Sequence, residues 1–318
     1  MEVLSSANHI CYVPRRFGKR TALMVVQANE IIAQYDQQGY KLTLRQLYYQ
    51  FVARGLLSNT PLSYKRLGEV ISQARLAGLI SWHAIEDRTR NLQRLPSWEG
   101  PSDIVTSCAS QYMVNTWDYQ PRYVEVWVEK EALASVVARA ADRWRVPWFC
   151  CRGYVSQSEM WAAAQRLAFK SRGGERPVDI LHLGDHDPSG IDMTRDIFDR
   201  LTLFQVQDLE VERLALNRDQ IRKYNPPPNP AKITDSRANA YIDEHGVNSW
   251  ELDALEPNVL TTLIDKAIEK RVDGTAWNRR ISRENRERAQ LNNVAKNWSI
   301  VTKAIKAYKK KGKGRGTR

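Results

Sequence analysis

VDILHLGDHDPSGID, residues 178–192, reads as an apolar strand that runs into a tight acidic turn and then a helix. Val178, Ile180, Leu181 and Leu183 suit a buried strand, Asp185 and Asp187 follow one residue apart, and Pro188-Ser189-Gly190 turns the chain. Two carboxylates at the end of a buried strand pack poorly, but they suit a hard divalent cation, which prefers oxygen ligands. A plainer reading makes the segment a polar turn with Asp187 as a helix N-cap. A motif this short supports either.

Working outward, YVEVWV (123–128) reads as a strand ending at Glu129, and Leu133, Val136, Val137 and Ala140 follow at helical spacing. VPWFCC (146–151) is a second apolar strand, and a helix from about Ser158 to Ala168 precedes the opening stretch. LTLFQVQDLEVERLAL (201–216) suggests a further strand that extends the sheet. Strands alternating with helices predict an α/β fold with a parallel sheet covered on both faces. In such sheets ligands gather at the carboxyl ends of the strands, where Glu129, Gly153, Asp185 and Asp187 fall. Three acids at one rim repel each other unless a cation neutralises them or their protonation shifts. Further on, NPPPNPAK (225–232) reads as a stiff surface loop. Leu260, Leu263, Ile264 and Ala267 read as the buried stripe of an amphipathic helix, and Glu251 and Asp253 as surface or capping acids with no catalytic role.

The first ninety residues are helix-rich. Met24, Ala28, Ile31, Ile32 and Tyr35 recur at helical spacing, and Gly39 supplies a stop. Thr43 looks like the N-cap of a second helix, and Ser63 like that of a third running to about Ala77. LISWHAIEDRTR (79–90) alternates like a strand pair or wing. Three helices and a wing predict a winged helix-turn-helix, with Lys65, Arg66 and Gln73 toward a DNA groove and Arg15 and Arg16 in a basic arm. A small helical protein-contact domain is the alternative. In the second helix Leu44, Leu47, Tyr48 and Phe51 form a buried stripe. Tyr49 lies about 100° further round, off that stripe and on the face of Arg45. An exposed tyrosine one turn from an arginine is a candidate nucleophile near a phosphate, since the cation favours phenolate and holds phosphate oxygens.

Charge is unevenly placed along the 318 residues. The whole chain has 48 Lys and Arg against 36 Asp and Glu, and the stretch 279–318 has 14 against 2, so the rest balances at 34 each. That basic end, with Lys309, Lys310 and Lys311, suits binding to a phosphate backbone, or else a solvated tail. No run approaches a membrane span and no signal-peptide core is evident. The four cysteines and five histidines lack metal-type spacing, so neither a zinc site nor a disulfide framework is expected, and a cytoplasmic protein fits. The domains expected are 1–91 (winged helix with basic arm), 92–120 (a linker rich in Pro, Gly, Ser and Thr), 121–278 (the α/β metal-binding part) and 279–318 (a basic helix and disordered tail).

Val128-Glu129-Lys130-Glu131, Arg152-Gly153-Tyr154 and Asp185-His186-Asp187-Pro188-Ser189-Gly190 occur in the order of the toprim metal-binding domain. With Arg45-Gln46-Leu47-Tyr48-Tyr49 ahead of them, they resemble the A subunit of DNA topoisomerase VI and its meiotic break-forming relatives, closest to a stand-alone, phage- or plasmid-borne type. Val155-Ser156 and Ser189 depart from that family's pattern. The resemblance implies a winged helix followed by a toprim domain. It implies cleavage of double-stranded DNA, with Tyr49 forming a 5′-phosphotyrosyl link and Arg45 assisting. Glu129, Asp185 and Asp187 would hold Mg²⁺, with Lys130 as a phosphate contact and Glu131 as a lesser support. It further implies a homodimer in which the tyrosine of one protomer meets the acids of the other. A separate ATPase (B-type) subunit is an optional partner, since this chain has no Walker-type loop. A nucleoid-associated location goes with that reading. The competing readings are a hydrolytic toprim nuclease of the Wadjet type, with water as nucleophile, and a non-catalytic DNA-binding protein.

Overall fold

Four parallel strands form the sheet that the strand–helix alternation predicts, in a computed structural model that describes residues 9–86, 95–231 and 235–313. Strands β1 (Tyr123–Val128), β2 (Trp148–Cys150), β3 (Val178–Leu183) and β4 (Leu209–Ala215) lie in the order β2-β1-β3-β4. Every residue of β1 and β3 is buried, as expected for a parallel sheet with both faces covered. Register pairs Val128 with Leu183, so the two central strands end level. The chain goes from β1 outward to β2 and then back across to β3. This reversal puts a topological switch between β1 and β3, the place where α/β sheets open a ligand crevice.

Helices connect the strands: α5 (Ala134–Arg143), α6 (Gln157–Lys170) and α7 (Pro188–Leu203). Met160, Ala164 and Leu167 of α6 and Met193, Ile197 and Leu201 of α7 close over Trp127 and Ile180 in one core. On the strands, buried acids are paired. Glu125 takes two bonds of 2.9 Å from Arg166, and Asp179 takes Arg122 and Arg271. After β4 come α8 (Arg218–Tyr224), β5 (Asn229–Pro230), α9 (Ala238–His245), β6 (Asn248–Ser249) and α10 (Pro257–Glu269). Strands β5 and β6 pair antiparallel, so the stretch read as a plain surface loop carries one strand of a short two-stranded ladder whose other strand lies beyond α9. Leu260, Ile264 and Ala267 of α10 are buried as expected, with Thr261 and Ile268 in place of Leu263.

The N-terminal helices are α1 (Lys19–Gln37), α2 (Leu44–Ala53) and α3 (Pro61–Leu76). Thr43 caps α2 in a reciprocal capping box with Gln46. Helix α3 starts earlier than expected: its N-cap is Thr60, whose hydroxyl accepts the Ser63 N–H, because Pro61 takes the first helical position. Over 79–86 the expected strand pair is reduced to one isolated bridge, Leu42 to Ile85, and 87–90 lie outside the described residues.

The chain divides differently from the sequence expectation. Met1–Arg90 and Arg122–Arg271 cluster into one unit, and Asn91–Pro121 with Val272–Arg318 into a second. The segment expected as a linker carries α4 (Pro101–Gln111), which packs on α11 (Gly274–Lys296). Glu284, fully buried, ties this second unit together by accepting the Val114 N–H at 2.9 Å and the Arg288 guanidinium. The basic end continues as α12 (Trp298–Lys313), which includes Lys309, Lys310 and Lys311. Residues 314–318 of the expected tail lie outside the described residues. Among the described residues no helix is long and apolar enough to cross a membrane.

Candidate functional site

The acidic turn is held by backbone rather than by chance. Asp187 is the N-cap of α7, its Oδ1 accepting the N–H of Gly190 at 2.6 Å and the hydroxyl of Ser189 at 3.0 Å. The plainer reading of Asp187 therefore holds, and it leaves Oδ2 without a hydrogen bond among the described residues. Gly190 is required: a Cβ there would stand 2.2 Å from the Asp185 carbonyl oxygen. Beneath the turn, half-buried Arg213 donates to the carbonyl oxygens of Gly184, Asp185 and Gly190. Glu129, at the end of β1, accepts the Asp185 N–H at 2.9 Å. Burial first, then the charge of Asp185, pushes the Glu129 carboxyl up to about 7. Burial also raises Asp185, against the pull of Lys130.

His186 points away from the two aspartates, with Nδ1 2.8 Å from the Tyr241 hydroxyl. Its backbone pairs both ways with Trp250 at 2.9 Å. This bridge delivers the next residues, Glu251-Leu252-Asp253, to the acids. The Leu252 N–H donates to Asp185 Oδ1 at 2.7 Å. Asp253 is 1 % exposed, so the expectation of a surface or capping acid is corrected. It accepts Arg45 Nε at 2.7 Å and Lys130 Nζ at 3.3 Å. Glu251 accepts Arg45 at 2.9 Å and also pairs with Lys130. Lys130 Nζ completes the cluster on Asp185 Oδ2 at 2.8 Å.

Tyr49 is not exposed: it is 4 % accessible, packed in the core of the N-terminal helices together with Ala254. Tyr49 lies beside Arg45 as the helical spacing predicts, but it joins Tyr48 in one core, and the short turn Leu252–Ala254 packs against α2. Sequence periodicity carries no information about a cover 200 residues away. The phenol oxygen lies 3.5 Å from Arg45 Nη2, and the Asn229 amide also reaches it. Asn229 is oriented in turn by the Asn59 amide, which donates to its oxygen. Burial, then the charge of Asp253, pushes the Tyr49 phenol up to about 12, while Arg45 and Asn229 pull it down.

Tyr49, Arg45, Asp185, Asp187, Asn229 and Glu251 all line one cavity of about 520 Å³. Of the residues expected to touch DNA, Lys130 is in this cluster. Lys65, Arg66, Arg15 and Arg16 are exposed and Gln73 is half-buried; none of these lines the cavity. The side chains of Lys309, Lys310 and Lys311 lie outside the described residues. Asn229, Glu251 and Asp253 are the site residues that sequence reasoning missed. The signal available was the dense run SWELDAL ahead of a helix, which has no short-range pattern of its own.

The donor set suits a hard cation. Glu129, Asp185, Asp187, Glu251 and Asp253 stand against Lys130, Arg45 and Arg213, a formal excess of two negative charges. As the side chains are placed, no three His, Cys, Asp or Glu among the described residues converge to hold one ion. Lys130 and the Leu252 N–H take both oxygens of Asp185. Fold and site thus define a mixed α/β protein with an acidic centre at the switch point of a parallel sheet and a tyrosine–arginine pair across the same cavity. Comparison with protein-family models, characterised proteins and solved structures finds no match to the chain.

Proposed function

We propose that the chain is a Mg²⁺-dependent DNA-cleaving transesterase of the topoisomerase VI A-subunit type, with a toprim-like α/β part and a winged-helix-like N-terminal part. The observation that carries this reading is the shared cavity: Tyr49 and Arg45 face Asp185 and Asp187 across it. A phenol is a weak nucleophile at neutral pH, and the Arg45 guanidinium with the Asn229 amide supplies the positive field it needs. Tyr49 attacks a backbone phosphorus, the P–O3′ bond breaks, and the chain is left on the 5′ phosphate. Glu129, Asp185 and Asp187 would hold the metal, Asp185 once Lys130 turns from it to a phosphate oxygen. Bound there, Mg²⁺ would neutralise charge on the phosphate and position the leaving oxygen. Double-stranded DNA is the proposed substrate, with the exposed Lys65, Arg66, Arg15 and Arg16 as backbone contacts. A homodimer in the nucleoid, of phage or plasmid origin, completes the proposal.

Hydrolysis is the second reading, favoured by one observation: burial and neighbouring acids hold the Tyr49 phenol near 12, which disfavours phenolate. One assay separates them. End-labelled plasmid is incubated with protein and Mg²⁺ and quenched in denaturant. Protein covalently attached to 5′ ends, and absent with Tyr49→Phe, is the expected result. Free 5′ phosphates that persist with Tyr49→Phe would refute transesterification in favour of water attack. Cleavage by neither path, with DNA binding intact, would leave a binding protein.

A further inference from the structure

Helix α11 separates its charges between two faces, which the sequence alone does not show. Residues 91–121 and 272–318, the second unit, hold 15 Lys and Arg against 6 Asp and Glu, so most of the basic excess of the chain lies there. The acids on and around α11 are consumed by its own packing against α4 and the segment after it. Glu284 is buried against the Val114 N–H and Arg288. Glu287 accepts the Tyr112 hydroxyl. Asp273 caps the helix by accepting the N–H groups of Thr275 and Ala276, and Asp118 faces Arg280 at 3.6 Å. What remains outward is basic and polar. Thr275, Asn278, Arg279, Ser282, Arg283 and Arg286 are all exposed and line one groove of about 650 Å³. Arg279, Arg283 and Arg286 follow at i, i+4 and i+7, the spacing of one helix face, and span about 10 Å at 1.5 Å per residue. Arg279 and Arg286 form no ion pair among the described residues, and Arg283 shares its charge with Glu287 at 2.8 Å.

Guanidinium groups beside hydroxyls and an amide are the donor set that holds phosphate oxygens of a nucleic-acid backbone, and such contacts position a duplex without reading its sequence. A single-strand site would add aromatic platforms for the bases, and no aromatic side chain among the described residues lines this groove. Nearby Tyr119 has its ring occupied by Arg280 at 5.1 Å. An anionic membrane surface would want an apolar face beside the charge, and no apolar side chain among the described residues lines it either. We infer that the outward face of α11 is a docking surface for the phosphodiester backbone of duplex DNA, carried by the helical unit that residues 91–121 and 272–318 form together. It takes DNA of any sequence, needs no metal, and stands whether or not Tyr49 is a nucleophile. The chain thus has a hold on DNA that is separate in kind from the contacts proposed for the cleavage centre.

The test is the salt dependence of binding. The full chain is titrated into a short fluorescein-labelled duplex in EDTA, and anisotropy gives Kd over a range of salt. Arg279→Gln with Arg286→Gln breaks no ion pair among the described residues, so the variant keeps its fold, which thermal melts check. Two lost phosphate contacts at about 0.9 released counterions each should make the slope of log Kd against log salt shallower by about 1.8 and weaken binding about 30-fold near 0.15 M salt. Adding Arg283→Gln should bring the total to at most about 2.7 in slope and roughly 150-fold. Lysine at all three positions keeps the point charges and should bind within about threefold of wild type. A double glutamine variant within about twofold of wild type and unmoved in slope would overturn the inference, as would a lysine variant as weak as the glutamine one. Tighter binding of a single strand of the same sequence, lost in the same variants, would overturn the assignment to a duplex. A loss seen only with phosphatidylserine vesicles, duplex binding being unchanged, would overturn it in favour of a membrane surface. The expected loss in a chain that forms no tyrosyl adduct with Mg²⁺ supports the docking surface, and only the transesterase reading falls.

Discussion

Removing the guanidinium of Arg45 isolates the feature on which the proposed Tyr49 chemistry depends. A full positive charge 3.5 Å from the phenol oxygen is worth about 5 kcal/mol to a phenolate at an effective dielectric of about 20. That figure is an upper bound here. Arg45 is 43 % exposed, and Glu251 and Asp253 share it at 2.9 and 2.7 Å. Solvent screening and the two carboxylates reduce the benefit to about 1.5–3 kcal/mol, or roughly 10- to 150-fold in rate. Arg45→Ala should therefore slow adduct formation by that factor at pH 8. Arg45→Lys keeps the charge but loses the planar fork that spans both acids, and should fall between. The assay is the initial rate of phosphotyrosyl adduct on end-labelled duplex under single-turnover conditions. Thermal unfolding alongside should show a folded chain, since Lys130 still neutralises Asp253. A folded Arg45→Ala chain with a rate within about twofold of wild type would refute the assignment of Arg45 to the nucleophile.

Three further outcomes follow from the geometry. Gly190→Ala forces a methyl to 2.2 Å from the Asp185 carbonyl oxygen, so urea unfolding should show a loss of about 1–3 kcal/mol; an unmoved midpoint would disprove the close approach. Glu129 sits near 7 in the folded chain against an ordinary 4.5, so the unfolded chain ionises first. Wild type should then lose stability as pH rises from about 4.5 to 7 in metal-free buffer, and Glu129→Gln, which cannot ionise, should gain on it over that window by up to about 3 kcal/mol. An equal gap at pH 4 and pH 8 in denaturant titrations would contradict the burial argument. Asn229→Ala removes an N–H from the phenol oxygen and should cost about 1–2 kcal/mol of nucleophile activation, seen as a pH profile of adduct formation displaced upward; an unmoved profile would show that Asn229 only packs.

The sheet and its acids were legible in the sequence because both depend on local pattern. Buried parallel strands are continuous apolar runs, and an acid at the end of such a run has few other places to be. Glu129 and Asp185 are accordingly joined by one hydrogen bond, as the strand ends required. What the sequence did not give up was the second layer around those acids. Asp253 looked like a surface acid because its partners, Arg45 and Lys130, are 208 and 123 residues away. Tyr49 looked exposed for the same reason, since its cover is the Leu252–Ala254 turn. The segment 92–120 looked like a linker because it is rich in Pro, Gly, Ser and Thr, and the packing surface of α4 is supplied by α11. In each case the missing term was a tertiary contact across a long stretch of chain, where periodicity within one element is silent.

The charge balance of the acidic cluster makes the order of assembly testable. Five carboxylates face three cations, and a phosphodiester adds another negative charge to that excess. A divalent cation offsets the excess of two, so metal and DNA should each favour the other's binding. Lys130 strengthens the coupling: a phosphate that draws its ammonium from Asp185, now 2.8 Å away, frees a carboxylate oxygen for the metal. Coupling between two ligands is reciprocal and typically worth about 1–3 kcal/mol, or roughly 5- to 150-fold. Mn²⁺ binding to Tyr49→Phe, followed by electron paramagnetic resonance, should tighten by a factor in that range when a duplex oligonucleotide is added, beyond what Tyr49→Phe with Asp185→Asn shows. DNA binding to the same chain should tighten by the matching factor when Mn²⁺ is added. Lys130→Ala should bind Mn²⁺ more tightly without DNA and show less gain from it, because the internal cation no longer competes for Asp185. Metal affinity indifferent to both DNA and Lys130 would mean that the acids and the phosphate do not share one site, and the transesterase reading would fall with that result.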